Sequence, residues 1–365
     1  MEYRKTNRID HPISCLGLGG GYLQQASESE IEETYRLAID KGINFFDLCG
    51  GGGRIFAPFG KAIKGRREKV LFQLHLGAVY QGPDLEYGWS RDLNRIKATF
   101  EWEMGLLGTD YVDFLFLHCV DEMEDLKSIR ENGILDFALS LKEQGVACHL
   151  GFSSHSPEVA SSFLDLGLFD LFMFSINPAY DYEVGDELGL GTASERKRLF
   201  EKAERLGVGI SVMKPFLGGQ LLDGRSPFKK ALSKAQCLSY CLDRPGVLTV
   251  LPGVRGKEDL LELLRMENAT PREKDYSAIS SLTATASGGC VYCHHCAPCP
   301  FGLDVALINK YYDLALGGDG IAAMHYQKLS KKASDCRYCG HCSSFCPFKS
   351  KPMERMAEIA EYFGH

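Results

Sequence analysis

Eight of the fourteen cysteines lie between positions 290 and 346, and their spacing limits what this chain can be more than any other feature. They form two groups that each end in Cys-Pro: Cys290, Cys293, Cys296 and Cys299, then Cys336, Cys339, Cys342 and Cys346. Gaps of two residues allow three successive thiolates in one tight loop to reach three corners of a cubane of iron and sulfide. The cysteine before the proline lies too far along the chain for the fourth corner, so it ligates the other cubane.

This crossed pattern predicts two [4Fe–4S] clusters, with the ligand order of two-cluster ferredoxins. The first cluster takes Cys290, Cys293, Cys296 and Cys346. The second cluster takes Cys336, Cys339, Cys342 and Cys299. The second motif has the ferredoxin spacing throughout, whereas the first is one residue short before its last cysteine.

Structural zinc is the alternative interpretation of these cysteines, because Cys-x-x-Cys pairs also form zinc sites. Zinc would use two pairs per site, and it would leave the third cysteine and the Cys-Pro of each group without a role. We therefore favour iron–sulfur clusters. Three histidines lie among the cysteines, His294, His295 and His341, and we interpret them as neighbours that tune a cluster by hydrogen bonding rather than as ligands.

The segment between the two cysteine groups predicts a helical module rather than a small strand-linked ferredoxin. Its 36 residues contain two helix-like runs, 305–308 and 321–324, separated by the glycine-rich segment 317–320. A further amphipathic helix is predicted near 352–363. We therefore expect two domains, one over residues 1–280 and an α-helical ferredoxin-like iron–sulfur domain over residues 281–365.

The charge and hydrophobicity of the chain exclude several classes of protein. A net charge of −7 provides no basic surface for nucleic acid. The longest apolar run, around Leu168–Ile176, is far shorter than the ~20 residues that a membrane span needs, and no apolar signal follows Met1. With 45% hydrophobic and 24% charged residues, we expect a soluble, cytoplasmic protein with a full core, no membrane and no nucleic-acid partner.

Over the first 280 residues, eight short apolar runs alternate with longer amphipathic segments. The predicted strands are Cys15–Leu18, Asn44–Asp47, Val70–His75, Val112–Leu117, Ala147–Phe152, Leu171–Phe174, Gly209–Met213 and Val247–Leu251. Helical periodicity separates them, for example over Glu30–Lys41, Leu93–Leu107 and Ser194–Leu206. The alternation predicts an α/β fold, a (β/α)8 TIM barrel, with its site at the carboxyl ends of the strands. A doubly wound sheet is the alternative, although no G-x-G-x-x-G follows the first strand.

Motifs at the predicted strand ends resemble one family. They are Gly42-Ile43-Asn44-Phe45-Phe46-Asp47, Phe59-Gly60-Lys61-Ala62, Tyr111-Val112-Asp113-Phe114-Leu115-Phe116-Leu117-His118, Leu150-Gly151-Phe152-Ser153, Met213-Lys214-Pro215 and Leu251-Pro252-Gly253. They follow the order of the aldo-keto reductases over nearly the whole barrel. With the cysteine motifs, the chain resembles the subgroup of that family that has a C-terminal two-cluster ferredoxin module.

The resemblance implies reduction of a carbonyl by hydride from NAD(P)H, with an Asp, Tyr, Lys and His set in which Tyr protonates the alkoxide. Asp47 matches the Asp and His118 matches the His. The family's Tyr is replaced by Gly52, and its Lys is replaced by His75. We therefore expect a non-standard catalytic set of Asp47, His75 and His118, in which His75 acts as a cation beside Asp47 and either His118 or His75 donates the proton.

Two alternatives stay open at this site. Both histidines can simply fill the barrel mouth through hydrogen bonds, without a catalytic role. Tyr180 or Tyr182, after the sixth strand, is a candidate for the missing hydroxyl. The glycines at 50–53 either allow a backbone to approach a ligand closely or form a flexible loop.

The resemblance also implies a nucleotide pocket, in which polar side chains hold the carboxamide and cations hold the phosphates. The residues that it assigns to cofactor binding are Ser153, Ser175, Asn177, Lys214, Arg255 and Lys257. Met213 stands where an aromatic residue commonly stacks on the nicotinamide.

Three functions follow from these assignments. In the first, the barrel is an oxidoreductase for a small organic substrate that uses NAD(P)H or flavin, and the clusters carry electrons to or from a redox partner protein. A flavin is included because nicotinamide transfers two electrons as hydride whereas a [4Fe–4S] cluster accepts one. In the second, the clusters supply single electrons to the substrate without nucleotide. In the third, the barrel is catalytically inactive and the protein is an electron-transfer subunit or redox sensor.

Overall fold

The structure is a computed structural model. It describes residues 1–49, 51–82, 85–182, 190–228, 230–277, 279, 290, 296–316, 322–346 and 351–365. The chain forms two compact units that alternate along the sequence. The first comprises Met1–Ser175, Arg198–Pro215 and Cys241–Ala269, and the second comprises Ile176–Lys197, Phe216–Tyr240 and Thr270–His365. The predicted domain boundary at residues 280 and 281 lies outside the described residues.

Twelve strands are present in the described residues, and all belong to the first unit. They are β1 Tyr3–Arg4, β2 Ile13–Ser14, β3 Leu18–Gly19, β4 Phe45–Asp47, β5 Leu71–Leu76, β6 Ala78–Gln81, β7 Glu86–Trp89, β8 Val112–Leu117, β9 Ala147–Ser154, β10 Leu171–Ser175, β11 Gly209–Met213 and β12 Val247–Val250. Eight of them form a parallel sheet in the order β12-β11-β10-β9-β8-β5-β4-β3. Parallel bridges from Leu16 to Val250 and from Gly19 to Gly253 join the first strand to the last, so the sheet closes. The predicted (β/α)8 barrel is confirmed.

Helices separate these strands along the chain. They are α1 Glu28–Asp40, α2 Phe56–Ile63, α3 Leu93–Leu107, α4 Met123–Glu131, α5 Ile134–Glu143, α6 Pro157–Asp165, α7 Pro178–Tyr182, α8 Ala193–Leu206, α9 Lys234–Leu242, α10 Lys257–Arg265 and α11 Pro271–Lys274. Local sequence fixes several starts: the Ser27 side chain caps α1, and Asp92 accepts from two backbone N–H groups of α3. Gly108 then ends α3 in the left-handed conformation.

The barrel interior is packed with large apolar side chains, and the N-terminal hairpin of β1 and β2 contributes to it. Ile9 and Ile13 belong to one buried cluster with Phe45, Leu71 and Leu171. The latter three come from the amino-terminal ends of barrel strands, so the hairpin fills that end of the barrel. The opposite end, where polar residues follow the strands, is left for the site.

A second hairpin, β6 and β7, follows β5 directly. Its strands pair antiparallel from Ala78 with Trp89 to Gln81 with Glu86. The loop after β4 holds its far end: Gly52 bridges to Glu86, and the Gly53 N–H donates to the Leu85 carbonyl at 2.8 Å. The hairpin is thereby tied to the loop that contains the four glycines.

The second unit contains the helices of the cysteine-rich segment. They are α12 Val305–Leu316, α13 Ala322–Lys328, α14 His341–Ser344 and α15 Met356–Phe363. Tyr326 stacks on Phe363 with ring centroids 4.0 Å apart, and Tyr312 donates to Glu358, so α15 packs against both earlier helices. The helical runs predicted between and after the cysteine groups are thus present. Within the part of the chain that the structure describes, no helix combines the length and apolar character of a membrane span.

Candidate active site

The three predicted catalytic residues meet at the carboxyl ends of β4, β5 and β8. Asp47 is 6% exposed, His75 3% and His118 7%, so the group is withdrawn from bulk water. His75 Nε2 lies 3.0 Å from Asp47 Oδ1, and His118 Nδ1 lies 3.2 Å from His75 Nδ1. The Gln73 amide donates to the same Asp47 oxygen at 2.9 Å. The structure therefore joins these residues into one hydrogen-bonded chain.

A tyrosine that sequence reasoning missed completes this chain. The Tyr87 hydroxyl, carried by β7, lies 2.5 Å from His118 Nε2. Burial raises the pKa of Tyr87, so its hydroxyl keeps its proton at neutral pH. Burial, together with the charges of His75 and Arg91, holds the pKa of His118 well below its usual range. The site therefore contains a neutral phenol on a neutral imidazole.

Gly52, where the resemblance expects the family's Tyr, pairs with the strand that carries Tyr87. Gly52 has φ +149° and pairs with Glu86, the residue before Tyr87. A Cβ on Gly52 would lie 2.9 Å from the Leu85 carbonyl oxygen and would overlap the Gln24 side chain. The glycines thus allow close approach by the protein's own backbone, which neither interpretation of the sequence included.

Tyr180, the earlier candidate for the hydroxyl, belongs to the second unit. Its ring lies under the buried Lys310 ammonium at 3.8 Å, and the Asn177 side chain accepts from its backbone N–H at 3.0 Å. Asn177 therefore caps the start of α7. The side chain of Tyr182 lies outside the described residues.

Cys49, two residues after Asp47, adds a thiol to the site. Its Sγ lies 3.6 Å from His118 Nδ1, the same ring nitrogen that faces His75. No motif in the sequence marks this cysteine, because it stands alone in a loop.

A second polar group follows β8 and β9 and consists of Cys119, Asp121 and His155. Asp121 accepts from the His155 backbone N–H and lies 2.9 Å from its Nδ1. Burial alone would raise the pKa of Asp121, but His155 and the Ser154 hydroxyl lower it, so the carboxylate stays charged. Burial raises the pKa of the Cys119 thiol, which therefore stays protonated.

The residues predicted at the nicotinamide end lie at the mouth of the first unit. Ser153 and Ser175 are buried at the ends of β9 and β10, and the Ser153 hydroxyl accepts from the Cys119 N–H at 2.7 Å. Lys214 follows β11 in the left-handed region, with φ +59°, and its charge acts on Cys119. Polar groups suited to a carboxamide are therefore present there.

At the predicted phosphate end, carboxylates accompany the two cations. Arg255 and Lys257 flank the start of α10, but the Lys257 ammonium already donates to Glu33. The Arg255 N–H donates to Asp259 at 3.0 Å, and Glu258 adds a further carboxylate in the first turn. Both cations therefore lie beside carboxylates at the start of this helix.

Four of the predicted cluster cysteines line one cavity of the second unit. They are Cys299, Cys336, Cys339 and Cys342, and they form no disulfide. This is the set that the crossed spacing assigns to the second cluster. The Tyr338 N–H lies 3.3 Å from Cys336 Sγ as a hydrogen-bond donor.

The remaining ligand set is described only in part. Cys290, Cys296 and Cys346 are described, whereas Cys293, His294 and His295 lie outside the described residues. His341 lies beside Phe345, with ring centroids 4.5 Å apart, and lines the cavity of the second set.

Comparison with known proteins agrees with the barrel. Residues 15–235 match the model of the Aldo/keto reductase family. L-glyceraldehyde 3-phosphate reductase of Escherichia coli K12 is 26% identical over 182 residues, 46% of this chain and 49% of that protein. An uncharacterised oxidoreductase of Bacillus subtilis is 27% identical over 150 residues, 38% of this chain and 48% of that protein. The chain thus spans about half the length of the curated relatives that it matches.

Solved structures show the same fold. An aldo-keto reductase from Bacillus halodurans, in its holo form, superimposes with a TM-score of 0.63 at 23% identity, covering 77% of this chain and 96% of that one. The family match spans more than half of the chain and contains seven of the eight parallel strands of the barrel, all except β12. The chain belongs to the aldo-keto reductase family.

Proposed function

We propose that this protein is an iron–sulfur oxidoreductase that acts on a small carbonyl or hydroxyl compound at the barrel mouth, with Tyr87 as its proton donor. The observation that carries the proposal is the 2.5 Å contact between the Tyr87 hydroxyl and His118 Nε2. The contact brings a phenol hydroxyl to His118, which matches the family's histidine, although position 52, where the family has its tyrosine, is glycine. The hydroxyl comes from another strand, and the role stays the same.

In the resting state of this series of hydrogen bonds, the directions follow from Asp47, because a carboxylate can only accept. His75 therefore donates from Nε2 to Asp47, and its Nδ1 accepts from the Nδ1–H of His118. His118 Nε2 in turn accepts the hydroxyl proton of Tyr87. In this state the proton of Tyr87 faces inward.

One added proton reverses these directions. On His75 it forms an imidazolium beside Asp47, and this imidazolium donates from Nδ1 to His118. His118 then donates from Nε2 to the Tyr87 oxygen, which leaves the hydroxyl proton available to a substrate oxygen. After Tyr87 protonates a developing alkoxide, one proton shift at each histidine restores the resting chain. Positioned proton transfer of this kind is typically worth ~10²–10⁴ in rate.

Bound NAD(P)H would supply hydride to the substrate carbon, as in the family. Ser153 and Ser175 are the residues that would hold its carboxamide. Carboxylates surround Lys257 at the expected phosphate end, and we propose that electrons also enter through the clusters.

We also propose two [4Fe–4S] clusters, which transfer single electrons to or from a redox partner protein. The cavity lined by Cys299, Cys336, Cys339 and Cys342 supports the crossed ligand assignment. The Tyr338 N–H beside Cys336 supports it further, because N–H donors to cluster sulfurs tune the potential. The proposal includes Cys290, Cys293, Cys296 and Cys346 as the other ligand set.

The first experiment is purification without oxygen, followed by titration with NADH and NADPH while cluster absorbance and bound flavin are recorded. Bleaching of the clusters supports entry of electrons from nucleotide. Clusters that only dithionite reduces indicate one-electron partners, and a carbonyl screen under dithionite then replaces the nucleotide screen. No turnover in either screen supports the alternative, an electron-transfer subunit or redox sensor.

Tyr87→Phe tests the proton donor by removing one oxygen atom. We expect kcat to fall by ~10²–10⁴ with iron content unchanged. Tyr80→Phe is the matched control, since Tyr80 lies on the same hairpin and its hydroxyl has no hydrogen-bond partner among the described residues. Wild-type turnover in Tyr87→Phe would contradict the assignment.

Cys299→Ala tests the crossed ligands. We expect about half of the iron to be lost, together with the signal of one cluster in paramagnetic resonance, because Cys299 completes the set of the other motif. Cys148→Ala, at an exposed cysteine of β9, should leave the iron content unchanged. Full iron in Cys299→Ala would show that the assignment is wrong.

A further inference from the structure

We infer that Cys49, His75 and His118 form a Zn²⁺ site at the barrel mouth. One ligand atom from each residue lies within 4.8 Å of the others. Two imidazole nitrogens face each other directly, His75 Nδ1 and His118 Nδ1 at 3.2 Å, and the Cys49 sulfur lies 3.6 Å from the latter. Thiolate and imidazole are the ligands that zinc prefers in proteins.

These distances agree with the edges of a zinc tetrahedron. Zinc bonds of ~2.0–2.1 Å to nitrogen and ~2.3 Å to sulfur, at tetrahedral angles, separate two nitrogens by about 3.3 Å and a nitrogen from a sulfur by about 3.6 Å. The observed separations are 3.2 Å and 3.6 Å. Two of the three edges therefore already match, and the third lies within 4.8 Å.

The other nitrogen of each histidine already has the partner that a zinc ligand needs. His75 Nε2 lies 3.0 Å from the Asp47 carboxylate, and His118 Nε2 lies 2.5 Å from the Tyr87 hydroxyl. Metal-binding histidines almost always donate their second N–H to such a group, which fixes the tautomer and orients the ring. The two Nδ1 atoms are thereby the ring nitrogens left for a metal.

Three protein ligands leave the fourth position of the tetrahedron for water or a substrate oxygen, which is the arrangement of catalytic zinc. Cys49 is half-buried, so the site is open on that side. Thiolate in the set favours zinc over magnesium or calcium, which take oxygen ligands. Binding releases the Cys49 proton and moves the His118 proton from Nδ1 to Nε2.

The cation would act as the added proton does in the proposed mechanism, and this role, unlike the binding itself, rests on the proposed function. With both Nδ1 atoms bound to zinc, His118 donates from Nε2 to the Tyr87 oxygen. The Tyr87 proton is then free for the substrate, and zinc polarises the carbonyl. A cation at this point also accounts for the absence of the family's lysine.

Metal analysis of the full-length protein tests the site. The protein is purified without oxygen, its clusters are reconstituted, and ZnCl₂ is added and then removed by desalting before zinc and iron are counted. We expect wild type to retain about one zinc per chain more than Cys49→Ala or His118→Ala, at equal iron. Cys148→Ala, at an exposed cysteine outside the group, should match wild type.

X-ray absorption at the zinc edge of wild type provides a measurement that needs no variant. One sulfur and two imidazole nitrogens around zinc support the site, whereas four sulfurs place zinc on the cluster cysteines and overturn it. Equal zinc in wild type and Cys49→Ala overturns it as well. Zinc bound by one sulfur and two nitrogens, without turnover of any carbonyl, would refute the proposed function and leave the zinc site standing. Turnover of a carbonyl by protein that binds no zinc would refute the zinc site and leave the proposed function standing.

Discussion

Replacing Gly52 with alanine tests whether the loop after β4 positions Tyr87. Gly52 pairs with Glu86, and the next N–H in the loop donates to the Leu85 carbonyl at 2.8 Å. If the hairpin carries the proton donor, one methyl group at position 52 should lower activity without touching any reacting atom.

The magnitude follows from the local geometry. At φ +149°, an alanine is strained by ~1–3 kcal/mol. Its Cβ would lie 2.9 Å from the Leu85 carbonyl oxygen and would overlap the Gln24 side chain. Gln24 can rotate away, but the carbonyl belongs to the hairpin backbone, so relief requires the hairpin to move. A shift of about 1 Å at a positioned group can reduce the rate ~10²-fold.

We therefore expect Gly52→Ala to lose most of the turnover that Tyr87→Phe loses, and to unfold with a free energy lower by ~1–3 kcal/mol. Gly82→Ala is the matched control, because Gly82 has φ +73° on the same hairpin but nothing within 4 Å of an added Cβ. It should lose stability and keep its activity. Full turnover in Gly52→Ala, or an equal loss in Gly82→Ala, would refute the docking argument.

Two further predictions concern stability. Arg67→Ala should lower the free energy of unfolding in urea by ~3–5 kcal/mol, because it leaves the buried Asp113 carboxylate without its partner at 2.8 Å; a loss below ~1 kcal/mol would reduce the pair to an ordinary surface contact. Burial alone would raise the pKa of Asp170, but His149 and Lys142 lower it. Its stabilisation is therefore present above the unfolded pKa of about 3.9 and is lost as pH falls through the lower folded value. Asp170→Asn should therefore reduce the loss of unfolding free energy as the pH falls in the acid range. An unchanged dependence of that free energy on pH would contradict the lowered pKa of Asp170.

The barrel could be predicted from the sequence because each of its strands is a short buried apolar run. Val112–Leu117 was predicted with the bounds that the structure has, and Leu171–Ser175 extends the prediction by one residue. Such runs need no long-range information, since burial on both faces makes them continuous. The N-terminal hairpin was missed because β1 and β2 have two residues each, too few for a periodic signal.

The hairpin of β6 and β7 was missed although the sequence marks it. Gly82-Pro83-Asp84 is a turn signal, and Tyr80 and Tyr87 lie in the β-prone residues on either side of it. A predicted hairpin still would not have given the contact with His118, 31 positions away. The hairpin that makes the contact is held to Gly52 and Gly53 by backbone pairing, and backbone hydrogen bonds leave no trace in residue type.

Because such contacts between loops are invisible in the sequence, the absence of a motif residue is weak evidence that the catalytic activity is absent. Glycine stands at position 52, where the resemblance expects the family's hydroxyl, and it leaves space for the strand that brings Tyr87 to His118. The two changes therefore belong together, since a side chain at 52 would exclude the hairpin. What the reaction requires is a proton donor on the histidine and a cation near the carboxylate. Residue numbers in a motif matter less than whether the fold delivers those two groups to one point, and Tyr87 and His75 are the residues that we propose for these two roles.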